Sequence, residues 1–138
     1  MMLDVRPVQI PDIYKVWDTV APLLKRAEEK YENPEYGIEH VKSMLISGQF
    51  VLFVFLDSEN NIHGAIVVTF INYPNDRVAF IIAMGGKGIV EEDTADKFAD
   101  ICKAYGATTI HGVVTKSGAR LYQSVKFNER AILVERRL

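Results

Sequence analysis

Arg77-Val78-Ala79-Phe80-Ile81-Ile82-Ala83-Met84-Gly85-Gly86-Lys87-Gly88, followed by a helical pattern from Glu91 to Tyr105 and closed by Gly106, is the stretch on which the fold turns. A short apolar strand, Val78 to Met84, meets a glycine-rich turn, Gly85 to Gly88, and then a helix. Strand, glycine turn and helix in that order aim backbone N–H groups at an anion. The helix follows from spacing: Ala95, Phe98, Ala99, Cys102 and Tyr105 share one face, while Asp93, Asp96, Lys97, Asp100 and Lys103 fall elsewhere. Gly106 ends it. Thr109-Ile110-His111-Gly112-Val113-Val114 is short and β-branched, which predicts a strand returning beside the first. The result is a βαβ unit with glycines at the carboxyl end of its first strand, where open α/β sheets bind ligands.

Upstream, Leu3 to Val8 predicts a first strand, and Pro11 suits the first turn of a helix. Ile13, Val16, Trp17, Val20, Leu24 and Ala27 give that helix an apolar face, with Trp17 as a core anchor and Pro22 expected to kink or split it. The pattern is lost from Glu28 to Gly37, a polar loop whose Glu28, Glu29, Glu32 and Tyr36 are candidates for recognising an acceptor. Ile38, Val41, Met44 and Leu45 restore a short second helix ending at Gly48. Phe50 to Leu56 is continuously apolar and predicts a strand buried on both faces. His63 to Asn72 follows after a turn, and Tyr73-Pro74-Asn75-Asp76 turns the chain into the Arg77 strand, so two hairpins make an antiparallel meander. Beyond Val114, a polar break at Thr115 to Gly118 precedes a short helix, Ala119 to Val125, and a last strand over about Glu129 to Arg136.

The expected class is therefore α/β with a mixed (α+β) sheet in the order β-α-α-β-β-β-α-β-α-β, with helices on both faces and a single domain over 1–138. At 138 residues the chain can bury one core without disulfides. No run approaches the roughly 20 apolar residues of a membrane span, and the first residues lack a basic segment followed by an apolar one. A net charge of −2 offers no basic footprint for nucleic acid. The single cysteine, Cys102, excludes an intrachain disulfide and a thiolate zinc cluster, and its place on the apolar helix face predicts a buried thiol. His40, His63 and His111 are dispersed without a metal-motif partner, so no metal site is expected. A reducing, cytoplasmic setting suits this composition.

The element order, with glycines after the fourth strand, resembles the GNAT superfamily of N-acetyltransferases over nearly the whole chain. That family follows its fourth strand with Gln/Arg-x-x-Gly-x-Gly/Ala, whose amides hold the coenzyme A pyrophosphate. The matching positions here are Gly85-Gly86-Lys87-Gly88-Ile89-Val90: Gly88 fits the central glycine, Gly85 stands at the basic or glutamine position, and Val90 at the last small one. The family also carries Asn, then seven residues on a Tyr, then Gly-Phe. Thr115, Tyr122 and Lys126-Phe127 stand there, keeping Tyr and Phe. The chain is further similar to small GNAT-like proteins of tailed bacteriophages, which share a Gly-Gly-Lys-Gly-like turn and a shortened C-terminal end with a single final strand.

The resemblance implies acetyl-coenzyme A as co-substrate and a primary amine as acceptor. Ala83, Met84, Gly85, Gly86, Lys87, Gly88, Ile89, Val90 and Thr115 would hold the coenzyme, and Tyr122 would protonate the departing thiolate. His111, on the fifth strand, has an intrinsic pKa suited to a base. The phage likeness implies a different class, a catalytically inactive virion, assembly or interaction module, with a homo-oligomer or virion proteins as partners and the host cytoplasm or virion as location. Each residue also has a plain structural role available: the glycines a tight strand-to-helix turn, Tyr122 an amphipathic core position, His111 a packed strand residue. Glu91, Glu92 and Asp93 suit the helix dipole but would repel a diphosphate. Only eleven residues follow Phe127, so one wall of a substrate cleft is expected from elsewhere or from a partner subunit.

Overall fold

Alternation inside β2, Val51–Leu56, explains the layered architecture. Leu52, Phe53, Val54 and Phe55 are all buried, at 0–4% exposure, yet successive side chains of a strand point to opposite faces. Leu52 and Val54 join a core with Ile13, Trp17, Val20, Leu24, Val41 and Leu45, while Phe53 and Phe55 join one with Leu3, Val5, Phe98 and Cys102. A strand apolar on both faces must be covered on both. The first core lies under helices α1, Ile13–Glu28, and α2, Ile38–Ile46; the second lies under α3, Glu92–Ala104.

The computed structural model describes residues 2–28, 35–88 and 90–138. Its sheet has five strands in the order β1-β2-β3-β4-β5, with β1 at Asp4–Val8, β3 at Ile62–Asn72, β4 at Arg77–Gly86 and β5 at Thr109–His111. Neighbours from β1 to β4 are antiparallel, and β4 with β5 is parallel. The expected meander and βαβ unit are both present. A 3-10 turn, Ile10–Asp12, with Pro11 near its start, leads into α1, which runs through Pro22 as one helix. The fourth helix, α4, is Lys116–Gln123.

Four expectations are corrected. β4 continues through Gly85 and Gly86, because β3 is long enough to pair Ala65 with Gly85 and Gly64 with Gly86. β5 stops at His111 instead of Val114, since only Val78 to Phe80 of β4 pair with it. α4 starts three residues early because Thr115 caps it, its Oγ1 accepting from the Gly118 N–H at 3.1 Å. The last strand over Glu129 to Arg136 does not form: residues 127–138 carry no regular structure, and Ile132, Leu133 and Val134 are 76–90% exposed. The sheet edge on that side, β5, is only three residues long, too short to template a strand of that length.

α3 is held at both ends. Gly106, at φ +87°, donates to the Lys103 carbonyl at 2.8 Å, and the Ala107 N–H reaches the Cys102 carbonyl at 3.0 Å. This paired closure satisfies the last carbonyls of the helix. At the other end Lys97 bonds the Leu3 carbonyl at 2.8 Å and pairs with Asp93 at 3.2 Å, tying α3 to β1. Burial pushes the Cys102 thiol up to about 12, as expected of an inert core cysteine.

Candidate functional site

The candidate site lies where β4 outruns β5. The two strands pair at only three positions, Val78 with Thr109 through Phe80 with His111, whereas β4 continues to Gly86. Within that overhang Val67 pairs with Ala83 and Val68 with Ile81, so Ile82 is an extra residue, a bulge. Bulges bend a strand and increase its twist. The edge of β4 from Ile81 to Gly86 is thereby left without a pairing strand on the β5 side.

Tyr122, half-buried on α4, reaches across to this overhang, its hydroxyl 3.1 Å from the Met84 Sδ. Phe127 packs edge-on against the Tyr122 ring at 5.7 Å, and the Phe127 N–H bonds the Tyr122 carbonyl at 3.1 Å. The two family-like positions thus form one unit. Beneath them a void of about 20 Å³ is lined by Phe55, Ile81, Met84, Phe98 and Val125, too small for any substrate group. A larger cavity of about 170 Å³, lined by Val8, Ile10, Ile13, Phe50 and Tyr105, opens at the other end of the sheet from Gly88.

His111 is not brought to Tyr122. Its neighbour Ile110 packs in the core beneath α3, where Met84 also lies, so alternation sends His111 to the α1–α2 face. Three residues of β4 lie between Phe80, opposite His111, and Met84, about 13 Å of strand. The His111 Nε2 is buried and has no hydrogen-bond partner among the described residues. Thr115 spends its hydroxyl on the cap of α4 and a 3.2 Å contact with the Ser117 Oγ.

The glycines divide into two kinds. A Cβ on Gly85 would stand 2.0 Å from the Leu23 carbonyl oxygen of α1, and one on Gly86, at φ +123°, would stand 2.3 Å from the His63 carbonyl oxygen. These two let β4 pack closely against backbone. Gly88, at φ +76°, makes the turn itself. The Lys87 N–H is already bonded to the His63 carbonyl at 2.9 Å, while among the described residues the amides of Gly88 and Val90 meet no acceptor. Ala83 sits in the half-buried strand ahead of them; Ile89, like Glu29 and Glu32 of the first loop, lies outside the described residues.

The three carboxylates part company. Asp93 pairs with Lys97, and Glu92 lies 3.7 Å from the Lys126 Nζ, which also meets Asp96 at 3.3 Å. Those contacts raise the Lys126 ammonium above its ordinary range, Asp96 contributing most. Glu91 instead turns back: its Oε1 is 3.7 Å from where a Cβ of Gly88 would be. One of the three therefore sits at the turn.

Sequence reasoning missed the support of that turn. His63 holds Lys87 through its carbonyl and pairs through Nε2 with the Asp57 Oδ2 at 2.7 Å. Asp57 also accepts from the Glu59 and Asn61 amides, each at 2.9 Å. The His63 contact, then these bonds, brings the Asp57 carboxyl down to about 2. Asp57 followed by Asn60-Asn61 signalled the hairpin turn, but no sequence pattern tells which carbonyl faces Lys87; that depends on the register of β3 with β4.

No family model matches the sequence, and no curated protein does. Solved structures do. A predicted acetyltransferase with acetyl-CoA from Clostridium acetobutylicum aligns over 99% of this chain and 96% of its own at 18% identity, TM-score 0.64. A possible acetyltransferase from Clostridium difficile 630 aligns over 100% and 98% at 14% identity, TM-score 0.71. An aminoglycoside acetyltransferase from an uncultured soil metagenomic sample, in complex with sisomicin, aligns over 99% and 96% at 16% identity, TM-score 0.71. At such identities the likeness is one of fold, and the fold of this chain is that of the GNAT-type acetyltransferases.

Proposed function

We propose that this chain is an acetyl-coenzyme A dependent N-acyltransferase acting on a primary amine, as one GNAT-like domain over 1–138 working in the cytoplasm. The observation that carries the reading is the run of β4, Ile81 to Gly86, that β5 leaves unpaired, with the Tyr122 hydroxyl beside it at Met84. An extended thioester arm can add to the bare β4 edge as a strand does. The Gly88 and Val90 amides, with the Lys87 cation, are then the groups available to its phosphates. Ala83, Met84, Gly85 and Gly86 supply the edge; Ile89 completes the turn, and Thr115 shapes the opposite wall as the cap of α4.

Acyl transfer from sulfur to nitrogen forms a C–N bond and breaks a C–S bond; the ammonium must lose a proton and the thiolate gain one. Tyr122 would take the second task. Its present acceptor, a thioether sulfur, is weak, so a thiolate arriving at the site would take the hydrogen bond over. His111 would serve the first task only through a chain of water, since the sheet and about 13 Å of strand separate it from Met84 and Tyr122. Hydrogen-bond donors at the thioester oxygen would come from the β4 edge.

A second reading, an inactive phage-type module in a virion or assembly, draws on two observations: the Lys87 amide is internally bonded, and the Glu91 carboxylate sits by the turn. Calorimetric titration with acetyl-coenzyme A separates the two. Saturable binding, with thiol release in the presence of an amine, supports the enzyme; no heat and no thiol release over a broad set of amines would leave the module.

A further inference from the structure

β3 carries a bulge of its own, toward the same end of the sheet as the one in β4. Phe55 pairs with Gly64 and Leu56 with Ile62, so His63 is the extra residue. An extra residue of this kind drops out of the ladder with β2, and its side chain is re-aimed. The His63 ring takes a bond instead. Its Nε2 meets the Asp57 Oδ2 at 2.7 Å, and the two side chains are only 26% and 19% exposed.

Asp57 is itself held fast. It accepts from the Glu59 and Asn61 amides at 2.9 Å and from the Asn61 side chain at 3.2 Å, and its own N–H bonds the Asn61 carbonyl at 3.1 Å. The carboxylate therefore ties the His63 ring to the whole turn between β2 and β3.

The backbone of the bulge then meets the glycine turn. The His63 carbonyl accepts from the Lys87 N–H at 2.9 Å, one residue beyond the last paired couple, Gly64 with Gly86. A Cβ on Gly86 would stand 2.3 Å from the same carbonyl oxygen and 2.4 Å from the Gly64 Cα, so backbone rests on backbone there. A shift of His63 must pass to Lys87. Gly88 follows at once, and the Gly88 and Val90 amides are those that meet no acceptor among the described residues.

We propose, resting on the acyltransferase reading above, that the Asp57–His63 pair positions the coenzyme turn, fixing the Lys87 amide so that the Gly88 and Val90 amides are set for the phosphates. Both are positioning residues, acting through the His63 carbonyl. A turn already held in its bound form loses less freedom on binding, and that gain in affinity goes when the anchor is cut. The competing effect has the opposite sign: a released Lys87 N–H becomes one more donor to a phosphate. Positioning thus predicts weaker binding in the cut variants, and a merely sealed amide predicts stronger.

Calorimetric titration of the full chain with coenzyme A, together with amide hydrogen exchange of the free protein, decides between them. His63→Ala should weaken coenzyme A about tenfold and speed exchange at Lys87 about tenfold, while Ile66 to Thr69 inside β3 keep their protection. His63→Gln, which keeps an N–H at the reach of Nε2, should recover most of both. Asp57→Ala leaves the bulge residue in place and should match His63→Ala; it carries the test if the bulge does not tolerate alanine. Equal or tighter binding in the alanine variants, unaltered exchange at Lys87, or a glutamine variant as weak as the alanine one would each overturn the proposal. A parent chain that does not bind coenzyme A would sink the acyltransferase reading and this role with it, whereas a parent that binds no better than its variants removes the pair alone.

Discussion

At the scale of single residues, the site rests on a few contacts whose removal has a direction. Tyr122→Phe deletes one hydroxyl whose partner is the Met84 sulfur, and leaves the ring packed on Phe127. Stability should therefore barely change. If the hydroxyl protonates the thiolate, turnover should fall by about 10² or more while coenzyme affinity holds, the usual scale for a general acid. Parallel kcat and calorimetric measurements check this, and unchanged turnover would take Tyr122 out of the chemistry. Glu91→Gln has the opposite sign. Its carboxylate lies beside Gly88, and lifting roughly 1 kcal/mol of repulsion at an exposed turn should tighten coenzyme binding about fivefold, more so at low salt. Asp57 has no role in chemistry but a clear acid dependence. Its folded pKa is depressed to about 2, so the stability it supplies is whole above its ordinary pKa near 4 and is lost as pH falls through 2. Asp57→Asn should flatten that part of the acid limb in urea midpoints measured between about pH 4 and 2.

At the scale of elements, β4 shows what could be read and what could not. The apolar run Val78 to Met84, the helix after it and Gly106 were legible, because periodicity and caps are local. That Gly85 and Gly86 belong to the strand was not, because it depends on β3 reaching back as far as Gly64. Tyr122 and Phe127 could be found through their family-like spacing, whereas the face on which His111 stands follows from its pairing with β4, which no local pattern reveals. The final strand failed for a related reason: strand composition is necessary, but pairing needs a neighbour. Two of the glycines also make separable predictions. Gly88→Ala forces a side chain into a left-handed backbone and should cost about 1–2 kcal/mol. Gly85→Ala sets a methyl against the Leu23 carbonyl, with backbone on both sides, so α1 must shift from β4. The loss should be larger, about 3 kcal/mol, and should reach the site as well. Denaturant midpoints of the two variants order them.

At the scale of the whole molecule, the two cores and the segment after Phe127 are energetically separate. Both cores are built from the sheet, β1 to β5, with the first three helices, and residues 128–138 contribute nothing to either. Ending the chain at Asn128 should then leave the stability of the monomer within about 0.5 kcal/mol, as for surface changes that touch no buried group. Whatever binds only the folded form stabilises it by mass action. If acetyl-coenzyme A binds at the bare edge of β4, it should stabilise the full and the shortened chain alike, by about 2.7 kcal/mol at one hundred times its dissociation constant, read as equal rises in melting temperature. A shortened chain that no longer responds to the coenzyme would instead make the segment part of the site, joining at a distance what the described contacts hold apart.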